Sequence, residues 1–266
     1  MKVACIGNSH ISMLRTASAS AEFSAHRFAW MARANHGTED FTVEGSVLSE
    51  PGDQGQRELA RCGMTPTIDV DAFDAVVLVG VSPSTVEVAR LANNYMVPEW
   101  FGEDVVESVV AGEASRWLRT QLISETAFHA AVCCAIRESL SYRWMKQLEA
   151  VTRTRFFVVP PPFPRETIVL PDATRHRVFQ VIAEFDVFDR VHAAYSAAFS
   201  DVFAEFESVT VVLQDLSTVA NDLFTKEDFC RGAVRIDFQN KHDATDYLHA
   251  NGAFGRIVLD EVLKAA

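Results

Sequence analysis

The sequence contains no long apolar run and no cluster of Lys or Arg residues. Its first apolar run, residues 3–6, follows Met1 and Lys2 directly and breaks at Gly7, much sooner than the core of a secretion signal or a membrane span would end. The formal net charge of −12 repels phosphate backbones and anionic lipid surfaces. We therefore expect a cytoplasmic protein with neither a membrane nor a nucleic acid as its partner.

Paired cysteines and a glycine-rich phosphate loop are also lacking. The five cysteines are odd in number and include no C-x-x-C pair, so a disulfide framework and a zinc knuckle are both unexpected. No G-x-G-x-x-G fingerprint occurs among the 12 glycines, which argues against a nucleotide cofactor. We expect neither a cofactor nor a metal.

The chain does contain enough apolar sequence for one large core. Of its 266 residues, 48% are hydrophobic, and a chain of this length can bury them without disulfide or metal staples. No linker-like segment divides it. We expect a single domain over residues 1–266 with a helical insertion around residues 97–150, and the sequence leaves open whether the protein forms a homo-oligomer.

Apolar runs of strand length alternate with stretches of helical spacing. The predicted strands are residues 3–6, 26–31, 75–79, 155–159 and 210–213. The predicted helices are residues 9–21, 84–94, 114–148 in two or three pieces, and 173–207 with a break near Asp186. Residues 44–56, rich in Gly, Ser and Pro, are the expected flexible loop. The alternation predicts an α/β fold in which helices cover both faces of a five-stranded parallel sheet, with ligands at the carboxyl ends of the strands.

Ser9 follows the first predicted strand in the sequence Gly7-Asn8-Ser9-His10. A hydroxyl at the start of a helix faces the crevice of such a sheet, and the unpaired amides of the helix end can hold an oxyanion. This position suits a nucleophile, although the same residue types are common in plain turns before helices. His10 could line the pocket, but a residue one step along a helix points away from its neighbour, so we expect His10 simply to begin the helix.

Asp246 and His249 form the second candidate pair, three residues apart near the end of the chain. Residues three apart on one turn face the same side, so the Asp246 carboxylate can hold one nitrogen of the His249 imidazole. The other nitrogen is then free to take a proton from Ser9. The spacing therefore predicts the orienting acid and the base of a catalytic triad.

Gly7-Asn8-Ser9 and Asp246-x-x-His249, taken in this order, resemble the SGNH or GDSL hydrolase superfamily. That family places its nucleophile in a Gly-Asp-Ser block after the first strand and an Asp-x-x-His block close to the C-terminus. Pro160-Pro161-Pro162 also resembles the family's proline-rich exit from the fourth strand. The resemblance implies a three-layer α/β/α flavodoxin-like fold and a serine hydrolase acting on carboxylic esters or O-acyl carbohydrates. It looks most like a branch found among bacterial proteins that modify carbohydrates and surface polymers.

The resemblance also implies oxyanion donors in two middle blocks. Where the family has Gly-x-Asn-Asp after the third strand, this chain has Gly80-Val81-Ser82-Pro83, so Ser82 replaces the oxyanion Asn. For the family's glycine after the second strand, Gly45, Gly52 and Gly55 are all candidates. The expected oxyanion and substrate-binding positions are Gly80, Ser82, Gly52 and Asn8. Because losing one oxyanion donor costs on the order of a hundredfold in rate, the departure at Ser82 leaves weak or lost activity open.

Three other functions stay compatible with the same residues. An O-acyltransferase would pass the acyl group to a saccharide hydroxyl in place of water, which depends on how well the pocket excludes water. A binding protein that has lost the chemistry fits the missing oxyanion Asn. A phosphate-binding module could use the turn at residues 7–9, since helix N-termini hold anions.

His242, Asp243, Asp246 and His249 form the densest cluster of His and Asp in the chain. Residues of these types can bind a divalent metal. We favour the triad, because a metal there would leave Ser9 without a base and because the cluster lacks a familiar ligand spacing. The expected substrate is a small-molecule or saccharide ester.

Overall fold

The computed structural model of the chain describes residues 1–111, 121–170, 178–237 and 240–266. Its strands in chain order are β1 (Lys2–Gly7), β2 (Arg27–Ala32), β3 (Thr42–Glu44), β4 (Val47–Ser49), β5 (Thr67–Asp69), β6 (Ala75–Val79), β7 (Tyr95–Met96), β8 (Gln121–Leu122), β9 (Arg155–Val159), β10 (Val209–Val211), β11 (Val219–Ala220) and β12 (Phe224–Thr225). Its α-helices are α1 (Ile11–Ser18), α2 (Asp53–Arg61), α3 (Thr85–Asn94), α4 (Glu103–Val110), α5 (Glu125–Arg137), α6 (Leu140–Leu148), α7 (Val178–Glu184), α8 (Phe188–Phe203) and α9 (Gly252–Ala265).

Five strands form the central sheet in the order β10-β9-β6-β1-β2, and every neighbouring pair is parallel. Numbered by their position among these five, the order is the 2-1-3-4-5 pattern of flavodoxin-like folds. Helices α1 and α9 pack together, and α3, α5, α7 and α8 form a second packed group. Helices flank the sheet, so the fold is the predicted three-layer α/β/α class.

The central strands β6 and β9 have the bounds predicted from the sequence. All five residues of β6 are fully buried, because a parallel strand covered by helices on both faces needs apolar side chains at every position. Val79 pairs with Gly7 of β1 on one side and with Val159 of β9 on the other. The three strands therefore end level, and the turns that follow them share one edge of the sheet.

The predicted helices are present, with shorter bounds. Helix α1 covers Ile11–Ser18 within the predicted 9–21, and α3 begins after Ser84, which caps it together with Glu87. The break expected near Asp186 lies between α7 and α8, where Asp186 has a φ of 52°. The predicted helical residues 114–120 and 173–177 lie outside the described residues. None of the helices in the described ranges is both long enough and apolar enough to cross a membrane.

The prediction of a loop without regular structure over residues 44–56 was wrong. Strand β4 lies within it, as the middle strand of a small antiparallel sheet with β3 and β5, and α2 begins at Asp53. The segment is held by Glu50, whose nearly buried carboxylate accepts from the Gly52 amide at 2.9 Å and pairs with Arg33 at 3.0 Å. A buried carboxylate with an arginine and an amide as partners is satisfied only in one loop conformation.

Helix α9 sets the position of His249 relative to Ser9 because it packs closely on α1. A side-chain carbon added at Gly255 would lie 2.1 Å from the backbone oxygen of Met13, so glycine alone allows this approach. His249 lies three residues before the first residue of α9, and Ser9 lies two residues before the first residue of α1. The distance between the two helices therefore fixes the distance between the two side chains.

We expect Gly255→Ala to lower the free energy of unfolding by about 1–3 kcal/mol, the usual cost of an overpacked core. The added methyl group must push α9 away from the Met13 carbonyl. Urea unfolding of the purified variant measures the loss. Ala253→Ser, on an exposed position of the same helix, should stay within about 0.5 kcal/mol; equal stabilities for the two variants would contradict the close-packing argument.

Candidate active site

Ser9 lies in the turn between β1 and α1, at the carboxyl edge of the sheet. The turn is held to its neighbour by Asn8, whose amide nitrogen Nδ2 donates to the Gly80 carbonyl at 2.5 Å and whose Oδ1 accepts from the His10 amide at 3.0 Å. The Asn8 backbone amide also donates to Val79 at 3.2 Å. Asn8 therefore holds the turn in place through hydrogen bonds made by both the nitrogen and the oxygen of its side-chain amide.

Gly80 leaves space for the Asn8 side chain. Its φ of +69° is unfavourable for other residues, and a side-chain carbon there would lie 2.4 Å from Asn8 Oδ1. Its amide donates to the Val159 carbonyl at 2.9 Å. Gly80 lines the candidate cleft as the sequence predicted, but its amide is already committed to the sheet.

The structure brings Ser9, His249 and Asp246 into one hydrogen-bonded chain. Ser9 Oγ lies 2.9 Å from His249 Nε2, and His249 Nδ1 lies 2.8 Å from Asp246 Oδ2. The serine and the histidine are 240 positions apart in the chain. A hydroxyl, an imidazole and a carboxylate in this order form the arrangement that activates a serine nucleophile.

The Asp246 carboxylate accepts four hydrogen bonds. Oδ1 accepts from the backbone amides of Leu248 at 2.8 Å and His249 at 3.1 Å, while Oδ2 accepts from His249 Nδ1 and from His242 Nδ1 at 2.5 Å. Burial disfavours the charged carboxylate, but the hydrogen bond and charge of His249, the Leu248 amide and the charge of His242 outweigh it. They hold the pKa of Asp246 well below its usual value, so it stays ionised.

The loop that carries Asp246 and His249 is anchored at both ends. Arg165 donates from its guanidinium to the Ala244 carbonyl at 2.7 Å, lies over the Tyr247 ring at 5.0 Å, and donates its own amide to the Tyr247 carbonyl at 2.7 Å. After the loop, Asn251 caps α9 by accepting from the amides of Ala253 and Phe254. The pair is therefore held by contacts from outside its own short motif.

Two further histidines lie against His249, one on each side. The rings of His10 and His249 stack at 4.8 Å, and those of His242 and His249 stack at 3.8 Å with planes 15° apart. His10 is the N-cap of α1, and its ring packs on the imidazole that contacts Ser9, so it belongs to the candidate site. Burial and, to a smaller extent, the charge of the neighbouring His249 lower the pKa of His10 well below its usual value. Burial and His249 likewise lower the pKa of His242.

A cleft of about 520 Å³ opens beside the triad. Its lining combines apolar surface with the hydroxyls and charged groups of Thr38, Glu39, Ser82, Ser84, Glu87, Glu138, Ser139 and Arg143. Asn8, His10, Gly80 and Leu248 join it to the triad. A smaller cavity of about 300 Å³ lies on the other side of the triad and is lined by His242, Asp246, His249, Arg165 and Arg231, among others.

Ser82 lines the cleft, but its hydroxyl is occupied. Ser139 Oγ donates to the Ile136 carbonyl at 2.6 Å, so Ser141 must donate to Ser139 across 2.9 Å. Ser82 in turn must donate to Ser141 across 2.7 Å. In this arrangement the Ser82 proton is not available to an oxyanion, in contrast to the amide of the family's Asn.

Gly52 is not among the residues that line the cleft. It precedes α2, and its amide donates to Glu50. The glycine that follows the second central strand is Gly37, in a short 3₁₀ helix over Asn35–Asp40, next to the cleft residue Thr38. Gly37 was not among the glycines predicted for this position, although it is the first glycine after the predicted second strand.

His242, Asp246 and His249 are also types that bind zinc, with ligand atoms within 4.8 Å of one another. Asp243 does not join them, because it is exposed and pairs with Arg235 at 3.1 Å. The nitrogen-to-oxygen distances of 2.5 and 2.8 Å at Asp246 are those of hydrogen bonds, and the Ser9 contact uses the remaining nitrogen of His249. The geometry therefore fits proton transfer.

No family model and no curated protein sequence matches the chain. Among solved structures, one from Streptococcus pneumonia, provisionally described as a platelet activating factor, is similar at 11% sequence identity. The match covers 99% of this chain and 82% of that one, with a TM-score of 0.40. A likeness at this level carries no argument about activity.

Proposed function

We propose that the chain is a serine acyl hydrolase that cleaves esters of small molecules or saccharides. The observation that carries the proposal is the continuous chain from Ser9 Oγ through His249 to Asp246, with contacts of 2.9 and 2.8 Å. It lies at the carboxyl edge of a parallel sheet, where α/β proteins bind their ligands. The resemblance to SGNH hydrolases noted in the sequence supports the same activity.

The reaction follows from these three groups. Ser9 Oγ attacks the ester carbonyl carbon while His249 Nε2 takes the hydroxyl proton, and Asp246 stabilises the imidazolium that forms. The carbon–oxygen bond to the alcohol then breaks, and His249 returns the proton to the leaving oxygen. Water attacks the acyl-serine next, gives a proton to His249, and releases the carboxylic acid as Ser9 regains its hydrogen.

The oxyanion needs donors near Ser9. Across the described parts of the chain the Ser9 amide has no hydrogen-bond acceptor, and it lies just before the N-terminus of α1. Free amides at a helix start stabilise negative charge. We therefore assign the Ser9 amide as the first oxyanion donor, while Asn8, Gly80 and Ser82 shape the cleft.

The lining of the cleft favours a particular substrate. Three carboxylates, those of Glu39, Glu87 and Glu138, line the cleft together with Arg143, so a neutral hydroxylated alcohol is a better fit than an anionic one. The cleft also carries apolar surface, from Val81, Pro83, Leu140, Pro161, Pro162 and Leu248, against which the acyl group of an ester can pack. The proposal is accordingly an acyl ester of a polar, uncharged alcohol.

We expect p-nitrophenyl acetate to be hydrolysed and Ser9 to be labelled by a fluorophosphonate. Both turnover and labelling should vanish in Ser9→Ala. Ser20→Ala is the control, because Ser20 is an exposed serine in the same N-terminal part of the chain. This variant should leave turnover and labelling unchanged. A wild-type protein with neither turnover nor label would leave a binding protein as the better explanation.

A further inference from the structure

The reaction above leaves one close contact unexplained, that of His242 with Asp246. His242 Nδ1 lies 2.5 Å from Asp246 Oδ2, which is closer than His249 Nδ1 at 2.8 Å to the same oxygen. The two imidazoles lie face to face at 3.8 Å. His242 is itself held in place, because its amide donates to the Ala233 carbonyl at 2.8 Å. A triad needs only one histidine on its carboxylate, so the second needs a reason.

The contact gives the Asp246 carboxylate a complete set of donors. Two backbone amides from its own loop hold Oδ1, and two imidazole nitrogens hold Oδ2. The loop amides alone would still allow the carboxylate to pivot about Oδ1. A donor on Oδ2 other than His249 stops that pivot and keeps the oxygen aimed at His249 when the imidazole moves towards Ser9.

The state of the other nitrogen of His242 indicates that the side chain is present for its contact with Asp246. Nε2 of His242 is buried and has no hydrogen-bond partner in the described ranges. An unpaired buried polar atom costs stability, and such atoms in folded proteins need a functional explanation. An apolar side chain would fill the same space without that cost, but it could not donate to Asp246.

We propose that His242 is a positioning residue that holds the Asp246 carboxylate for His249, so that the site works as a chain of Ser9, His249, Asp246 and His242. The inference rests on the proposed function. The charged and titratable groups around His242 are Asp246, His249, Arg235 and His10, and those that line the same cavity are Arg165, Glu227, Cys230, Arg231 and Asp243.

Two variants distinguish the effect of the hydrogen bond that His242 donates from the effect of its ring. His242→Phe keeps a flat ring against His249 and loses the N–H, whereas His242→Asn loses the ring and places an amide N–H near the position of Nδ1. We expect His242→Phe to lower kcat roughly tenfold, the size of a lost hydrogen bond to a charged group, and to leave KM within about twofold. His242→Asn should recover kcat to within about threefold of wild type. A purely structural role would give the opposite ranking, since phenylalanine fills the space better.

A second measurement does not depend on turnover. In Ser9→Ala protein with 15N-labelled histidine, long-range NMR correlations should show both His242 and His249 carrying their proton on Nδ1. A His242 with no proton on Nδ1, wild-type kcat in His242→Phe, or a bound zinc whose removal changes the His242 signals would each overturn the proposal. Turnover that survives in Ser9→Ala would instead refute the hydrolase mechanism, and the NMR result would still decide whether His242 donates to Asp246.

Discussion

Replacing His249 by alanine is expected to lower kcat by roughly 10⁴- to 10⁶-fold while KM changes little. His249 is the only group on Ser9 Oγ in the described residues, at 2.9 Å, so the serine hydroxyl would lose its base. His249 is not among the residues that line the cleft proposed to bind the substrate, so the substitution leaves that cleft in place. Steady-state kinetics on p-nitrophenyl acetate measures both constants.

Imidazole added to the His249→Ala protein should restore part of this activity. The deleted ring leaves a space between His10 and His242, and the neighbouring cavity of about 300 Å³ gives a small base access to it. His129→Ala is the matched control, because His129 is a partly exposed histidine that pairs with Asp201 on a different helix. A variant at His249 that keeps more than a tenth of wild-type kcat would contradict its assignment as the base.

The sequence was sufficient to predict the central sheet because its three middle strands, β1, β6 and β9, are buried along nearly their whole length. Residues 75–79 and 155–159 are apolar at every position, and the structure gives β6 and β9 these same bounds. The pair Asp246 and His249 was predictable for a similar reason, since three residues of chain suffice to bring their side chains together. Patterns that are local in the chain therefore predicted the fold class and two of the three residues of the candidate triad.

What the sequence could not show depends on contacts between distant segments. Strands β3 to β5 have three residues each, too few for an alternating pattern, and the Glu50–Arg33 contact that holds them joins residues 17 positions apart. The stacking of His10 on His249 is set by the packing of α1 on α9. The occupied proton of Ser82 depends on Ser141, 59 positions later.

Asp246→Asn is expected to lower kcat by about 10⁴-fold even though it changes one atom. Oδ1 accepts from two backbone amides and Oδ2 from two imidazoles, so an asparagine must point its NH₂ group at one pair of donors. Turned towards the imidazoles, it forces His249 to carry its proton on Nε2, where it can no longer accept from Ser9. Turned towards the amides, it breaks the loop that presents His249.

The same substitution should make the protein less stable above about pH 4, the ordinary pKa of an aspartate. The pKa of Asp246 is depressed in the folded protein by its hydrogen bonds and the neighbouring His249, so the unfolded chain binds a proton more readily. The stabilisation by Asp246 is therefore fully present above that range and is lost as the pH falls towards the depressed value. Urea unfolding at several pH values should show the gap in the free energy of unfolding between wild type and Asp246→Asn closing in acid.

Asp243→Asn is the control for the loss of kcat in Asp246→Asn. It removes an exposed carboxylate paired with Arg235 in the same loop and should leave kcat near wild type. A similar loss of kcat in both variants would mean that the loop, and not the carboxylate on His249, supports catalysis.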